Sequence, residues 1–145
     1  MRSIALSLTI ALSAAVAPAA QVATPITVYK SPTCGCCGKW VEHMKKAGFN
    51  PQVNDLPNVA PIKQAAGVPA ELQSCHTSTV EGYTIEGHVP ADVIRQLLKE
   101  KPKVAGIAVP GMPVGSPGME QGDRQDKYNI VAFGKDGSQK VYASR

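Results

Sequence analysis

The chain has 145 residues with 15 basic and 11 acidic side chains, a formal charge of +4, and 43% apolar residues. That length is one domain plus a leader, and the charges are scattered, so no basic stripe for nucleic acid is present. Nothing in it reads as a phosphate loop, a carboxylate pair or a serine triad.

At the start, Arg2 precedes an apolar run from Ile4 to Val16, and small residues follow at Ala17 and Ala19. This pattern reads as a secretory signal peptide over residues 1–20, cut before Gln21. The run is too short and wrongly flanked for a stable membrane span, and no later run approaches span length. No cysteine follows it, so no lipid anchor is expected at the cut. The expectation is a soluble exported protein, periplasmic in a Gram-negative source, with residues 21–145 as one domain.

Ile26 to Tyr29 is a short, β-branched run that predicts a buried strand. Ser31-Pro32-Thr33 turns the chain into Cys34-Gly35-Cys36-Cys37, three of its four cysteines. From there Cys37, Trp40, Val41 and Met44 fall at i, i+3, i+4, i+7, the stripe of an amphipathic helix that Gly48 ends. Lys39, Glu42, His43, Lys45 and Lys46 lie on the other face, where His43 is expected to be solvated. Cys37 then sits in a first helical turn, where unpaired N–H groups favour a thiolate.

Pro51 to Leu56 predicts a second strand, and Ala60 to Ala66 a short helix closed by Gly67 and Pro69. Glu71 to Ser74 leads into Cys75. His76 to Val80 and Tyr83 to Glu86 flank Glu81-Gly82 as a hairpin. Pro90 opens a helix striped by Val93, Ile94, Leu97 and Leu98 and stopped by Pro102. Beyond it come an extended segment from Val104 to Val109, then a Gly/Pro loop carrying Met112 and Met119. A hairpin from Tyr128 to Phe133 and Gln139 to Ala143 closes the chain.

Strand, cysteine loop, helix, strand, helix, hairpin, helix is the order of the thioredoxin fold. The fold class is therefore α/β: a thioredoxin-like domain with a C-terminal extension from about residue 104. In that fold the residues before the third strand lie against the cysteine loop, which brings Cys75 beside Cys34, Cys36 and Cys37. Thioredoxins place a cis-proline there, and this chain has Cys75-His76 instead.

Three thiols this close exchange disulfides or hold a soft metal. The Cys34–Cys37 pair is a redox spacing, with Cys34 as nucleophile and Cys37 as resolving thiol. Cys36 is superfluous to that chemistry and useful in a thiolate nest for copper. The bland reading is a pair of structural disulfides, for which Cys34–Cys37 with Cys36–Cys75 is the least strained connectivity. Structural zinc prefers two separated knuckles, which this spacing does not supply. Strand alternation points His76 away from Cys75. His88 sits at a helix mouth, where it can cap or ligate. Met112 and Met119 plug a surface or, as thioethers, form a movable lid that captures Cu(I).

The stretches Cys34-Gly35-Cys36-Cys37, Ser74-Cys75-His76-Thr77, Glu86-Gly87-His88-Val89-Pro90 and Pro110 to Glu120 together resemble the CopG-type periplasmic copper-resistance proteins, marked by a C-x-C-C motif. The resemblance covers essentially the whole mature chain. It implies copper bound at Cys34, Cys36, Cys37 and Cys75, as Cu(I) in a thiolate-bridged multinuclear cluster, with His76, His88, Met112 and Met119 as further candidate ligands. Storage, transfer and a copper-linked oxidoreductase interconverting Cu(I) and Cu(II) all use these ligands. The expected partners are copper ions and other periplasmic copper-handling proteins. The chain is expected to be a monomer, away from membrane and nucleic acid.

Overall fold

The computed structural model describes residues 22–145, so the expected signal peptide over residues 1–20 lies outside the described residues. Alternation builds the frame. In β1 (Thr24–Lys30) Ile26, Val28 and Lys30 share a buried face. The chain then forms α1 (Gly35–Lys46) and returns as β2 (Phe49–Asp55), parallel to β1. A short α2 (Ala60–Ala65) and a single 3-10 turn (Ala70–Leu72) lead to β3 (Thr77–Val80), antiparallel to β1.

Glu81 and Gly82, both at positive φ, close a tight hairpin into β4 (Tyr83–Glu86). Next come α3 (Ala91–Glu100) and β5 (Gly106–Ala108), the latter parallel to β4. The antiparallel strands β6 (Asn129–Phe133) and β7 (Gln139–Ser144) complete one seven-stranded sheet in the order β2-β1-β3-β4-β5-β6-β7. The segment beyond residue 104 therefore continues the same sheet. Among the described residues no helix is long and apolar enough to cross a membrane.

Two apolar clusters follow from the strand alternation. The larger joins Ile26, Val28, Ile85, Ile107 and Ile130 to Trp40, Val41 and Met44 of α1 and to Val93, Ile94 and Leu97 of α3. Each such fully buried side chain contributes roughly 1.5–3 kcal/mol. The smaller cluster, Val68, Leu72, Ala108 and Phe133, takes the residues of opposite parity, such as Ala108 against Ile107. The stripe expected on α1 is fully buried.

Three boundaries differ from expectation for local reasons. α1 starts at Gly35 because Cys34 caps it, its Sγ accepting from Cys37 N–H at 3.3 Å. β2 begins at Phe49 because its register to β1 runs from Phe49 opposite Thr24. Of the extended segment 104–109 only Gly106–Ala108 pairs as a strand.

Candidate metal centre

α1 opens at the end of β1, which places its first turn at the end of the sheet where the antiparallel β3 begins. Cys34 is the N-cap, Cys36 and Cys37 lie in the first turn, and Cys75 precedes β3. The fold brings all four together: their sulfurs lie within 4.8 Å of one another. Cys34 and Cys37 are joined as a disulfide, while Cys36 and Cys75 are free. The two-disulfide reading is thereby corrected, since Cys36 and Cys75 stand close but unbonded. Cys36 Sγ is 3.5 Å from Cys34 Sγ.

Two histidines stand on the Cys75 side. His88 Nε2 is 2.9 Å from Cys75 Sγ, and its Nδ1 is 2.7 Å from the Pro117 carbonyl. A carbonyl only accepts, so Nδ1 carries the proton and the Nε2 lone pair faces the thiol, which donates to it. His76 Nδ1 lies 3.6 Å from Cys75 Sγ. That corrects the expectation that alternation turns His76 away: β3 pairing starts at Thr77, so residues 75–76 are not pleated strand.

Cys75, His76 and His88 form a second group of ligand atoms within 4.8 Å. The His76 ring packs 4.5 Å from Trp40 and 5.0 Å from His88, centroid to centroid. The Trp40 indole N–H donates to Val89 O at 2.9 Å, tying α1 to the loop that carries His88.

Burial controls the protonation of this pocket. It pushes the Cys75 thiol up to about 11, and the neighbouring Cys36 adds to that effect. His76 is held well below its usual range, first by burial and then by His88 and Lys63. Burial likewise lowers His88, against the opposing pull of Pro117 O and Glu120. Both imidazoles therefore present neutral nitrogens. Among the described residues, His76 Nε2 is a buried nitrogen with no hydrogen-bond partner.

His88 Nε2 and His76 Nδ1 both face Cys75 Sγ, with the free Cys36 among the clustered sulfurs, and that donor set fits a soft metal. Sulfur with imidazole suits Cu(I) and other soft or borderline ions, and suits magnesium or calcium poorly. The pairing of Cys34 with Cys37 removes two thiolates from that donor set until it is reduced.

The Gly/Pro loop lies on this site through backbone. Beyond the Pro117 carbonyl on His88, Gly118 at φ +89 leaves no room for a side chain: a Cβ there would stand 2.7 Å from Cys36 O and 2.9 Å from Trp40 N. Glu120 fixes the turn by accepting from Gly118 N–H at 2.9 Å and 3.0 Å. Met112, at the loop tip, is 52% exposed, and Met119 is half-buried.

His43 is half-buried rather than solvated, because its Nε2 accepts from Ala91 N–H at the start of α3. A buried ion pair escaped sequence reasoning altogether. Lys63 Nζ meets Glu86 Oε1 at 2.6 Å, with 6% and 0% of the two side chains exposed. The one signal for it was Lys63 as the sole charge on a short helix.

A family model described as "Protein of unknown function, DUF411" matches residues 72–119, which hold Cys75, both site histidines and the loop. No curated protein matches the chain. Two solved structures of the copper resistance protein CopG, Form 2 and Form 1, are each 42% identical to it. They superpose with TM-scores of 0.81 and 0.80, each match covering 85% of this chain and 98% of that one. Identity at that level over nearly the whole of those proteins places the chain in the CopG family of copper resistance proteins.

Proposed function

We propose that this chain is a periplasmic copper-binding protein that holds Cu(I) among Cys34, Cys36, Cys37 and Cys75 on a thioredoxin-like frame. The observation that carries the reading is the convergence of the four sulfurs within 4.8 Å, although Cys75 belongs to a different element from the other three. Bridging thiolates let several Cu(I) ions share few cysteines, so the nest suits a multinuclear cluster. His88 and His76 are the nitrogen donors, and Met112 and Met119 are thioether donors at the loop. Removal of residues 1–20 releases the chain as a soluble monomer that exchanges copper with other periplasmic copper-handling proteins.

The Cys34–Cys37 disulfide adds a redox role to the same site. Two Cu(II) ions can take two electrons from the Cys34 and Cys37 thiolates, giving two Cu(I) and the disulfide, which a dithiol reductant then reopens. Plain thiol–disulfide exchange by Cys34 and Cys37 is the second reading, supported by their C-x-x-C spacing at the first turn of α1.

Anaerobic Cu(I) titration of the reduced protein against a chromophoric chelator tests the first reading. Cys75→Ser should weaken copper binding as severely as Cys36→Ser. Unchanged affinity and stoichiometry in Cys75→Ser sinks it. Cys36→Ala separates the two chemistries: insulin reduction survives in a dithiol exchanger, whereas copper loading fails in a thiolate nest.

A further inference from the structure

Cys75 reaches the cluster from just before β3, and the strand ladder holds that segment only as far as His76, whose carbonyl accepts from Gly87 N–H at 2.9 Å. On the other side of Cys75 the hold is a buried polar network. Glu86, at the end of β4, is fully buried, and its Oε1 accepts from Ser74 N–H at 2.7 Å. The other oxygen, Oε2, accepts from the Thr77 hydroxyl at 2.7 Å. The carboxylate thus holds Ser74 by its backbone and Thr77 by its side chain, the residues on either side of Cys75-His76.

Lys63 Nζ completes the network, 2.6 Å from Glu86 Oε1 and 3.1 Å from Thr77 Oγ1. Lys63 is the one buried residue of α2, so that helix delivers a cation to the underside of the site and little else. A buried ion pair is a weak source of stability, and apolar residues of similar volume often serve as well or better. Holding one geometry is the use such a pair is suited to.

We propose that Glu86, neutralised by Lys63, is the positioning residue for Cys75: its carboxylate anchors Ser74 N–H and so holds the Cys75 thiol against the other three. The inference rests on the copper reading for its purpose, and its test is chosen so that the two can fail separately.

The test compares two double variants without a buried charge. Lys63→Met with Glu86→Gln keeps an oxygen to accept from Ser74. Lys63→Met with Glu86→Leu keeps the bulk and removes the acceptor. In the metal-free protein with Cys34–Cys37 oxidised, iodoacetamide labelling with peptide mass mapping reads Cys75 and Cys36 separately, with Cys36 as the internal reference.

The Gln variant should label Cys75 at the parent rate. The Leu variant, which loses the carboxylate's bonds to both Ser74 and Thr77, should label it at least about tenfold faster, the population shift expected from losing even one hydrogen bond to a buried charged group. In the reduced protein, the Leu variant should also show a weaker ultraviolet Cu(I)–thiolate band than the Gln variant.

Equal Cys75 labelling in parent and both variants overturns the proposal, as does fast labelling in both variants. Fast labelling in the Leu variant alone, with an unchanged copper band, supports the positioning and counts against Cys75 as a ligand. If the Leu variant does not fold, Lys63→Met with Glu86→Met, which also lacks the acceptor, takes its place and is read in the same way.

Discussion

Replacing Gly118 with alanine asks whether the loop is seated on the metal centre or swings over it. The backbone there sits at φ +89, where a residue bearing a Cβ costs roughly 1–2 kcal/mol. The added carbon would meet Cys36 O at 2.7 Å and Trp40 N at 2.9 Å, both backbone atoms of α1 that cannot swing aside. Overpacking of that kind adds about 1–3 kcal/mol, for a total near 2–5 kcal/mol.

Set against a domain stability of about 5–15 kcal/mol, the cheaper response is for Pro117 and Gly118 to lift, which breaks the Pro117 carbonyl bond to His88 Nδ1. Gly111→Ala is the control. It too has positive φ, +68, but nothing lies within 4 Å of its Cβ position, so only the backbone cost applies.

Urea unfolding of the reduced, metal-free protein measures stability, and the 15N shifts of His88 report which ring nitrogen holds the proton. Gly118→Ala should destabilise by more than Gly111→Ala, scramble the His88 tautomer and shorten copper retention against a chelator. If the two variants match in stability and in the His88 spectrum, the loop does not press on the site and the argument is wrong.

Two further outcomes follow from the same geometry. His43 is held below its usual pKa, first by burial, with Glu120 and Asp92 opposing, and its neutral Nε2 accepts from Ala91 N–H. A depressed histidine contributes stability that is present above the unfolded value, about 6.5, and lost as pH falls below it towards the folded value. His43→Gln should therefore flatten the pH dependence of urea unfolding between neutral and mildly acidic pH; an unaltered profile would show that the Ala91 contact is immaterial. Replacing Met112 and Met119 with leucine keeps apolar bulk and removes the thioethers. Stability should hold while copper is lost faster to a chelator, and equal retention would make both methionines packing residues.

The fold was readable where its signal is local. The stripe Cys37, Trp40, Val41, Met44 needs one helix to make sense of it, and all four residues are buried on α1. The hairpin at Glu81-Gly82 needs two residues at positive φ, and has them. The meeting of Cys75 with the other cysteines was legible through element order alone. What stayed hidden depends on contacts across the sheet. Charged residues read as surface, so Lys63 and Glu86 gave no hint that each is the other's partner beneath Cys75. His43 looked solvated because its acceptor role requires the start of α3 to arrive beside it. His76 was misdirected by an alternation that applies only from Thr77 onward.

The state of the sulfurs was equally beyond the sequence, and it bears on how the two chemistries of the site relate. A sulfur in a disulfide carries no thiolate charge and makes no bridging ligand, so Cys34 and Cys37 serve either their mutual bond or a metal. Cys36 and Cys75 stay free in the oxidised protein, and Cys75 still faces His88 Nε2 at 2.9 Å. The oxidised site therefore keeps two sulfurs and two imidazoles, and the reduced site adds two thiolates at the N-terminus of α1. There the Cys37 N–H that already points at Cys34 Sγ favours the charged form. Under the proposed copper reading, capacity is set by the oxidation state of one pair. The two proposed chemistries, disulfide exchange and copper binding, would thus be alternative uses of the same two atoms, and an assay of either is interpretable only when the state of Cys34–Cys37 is known.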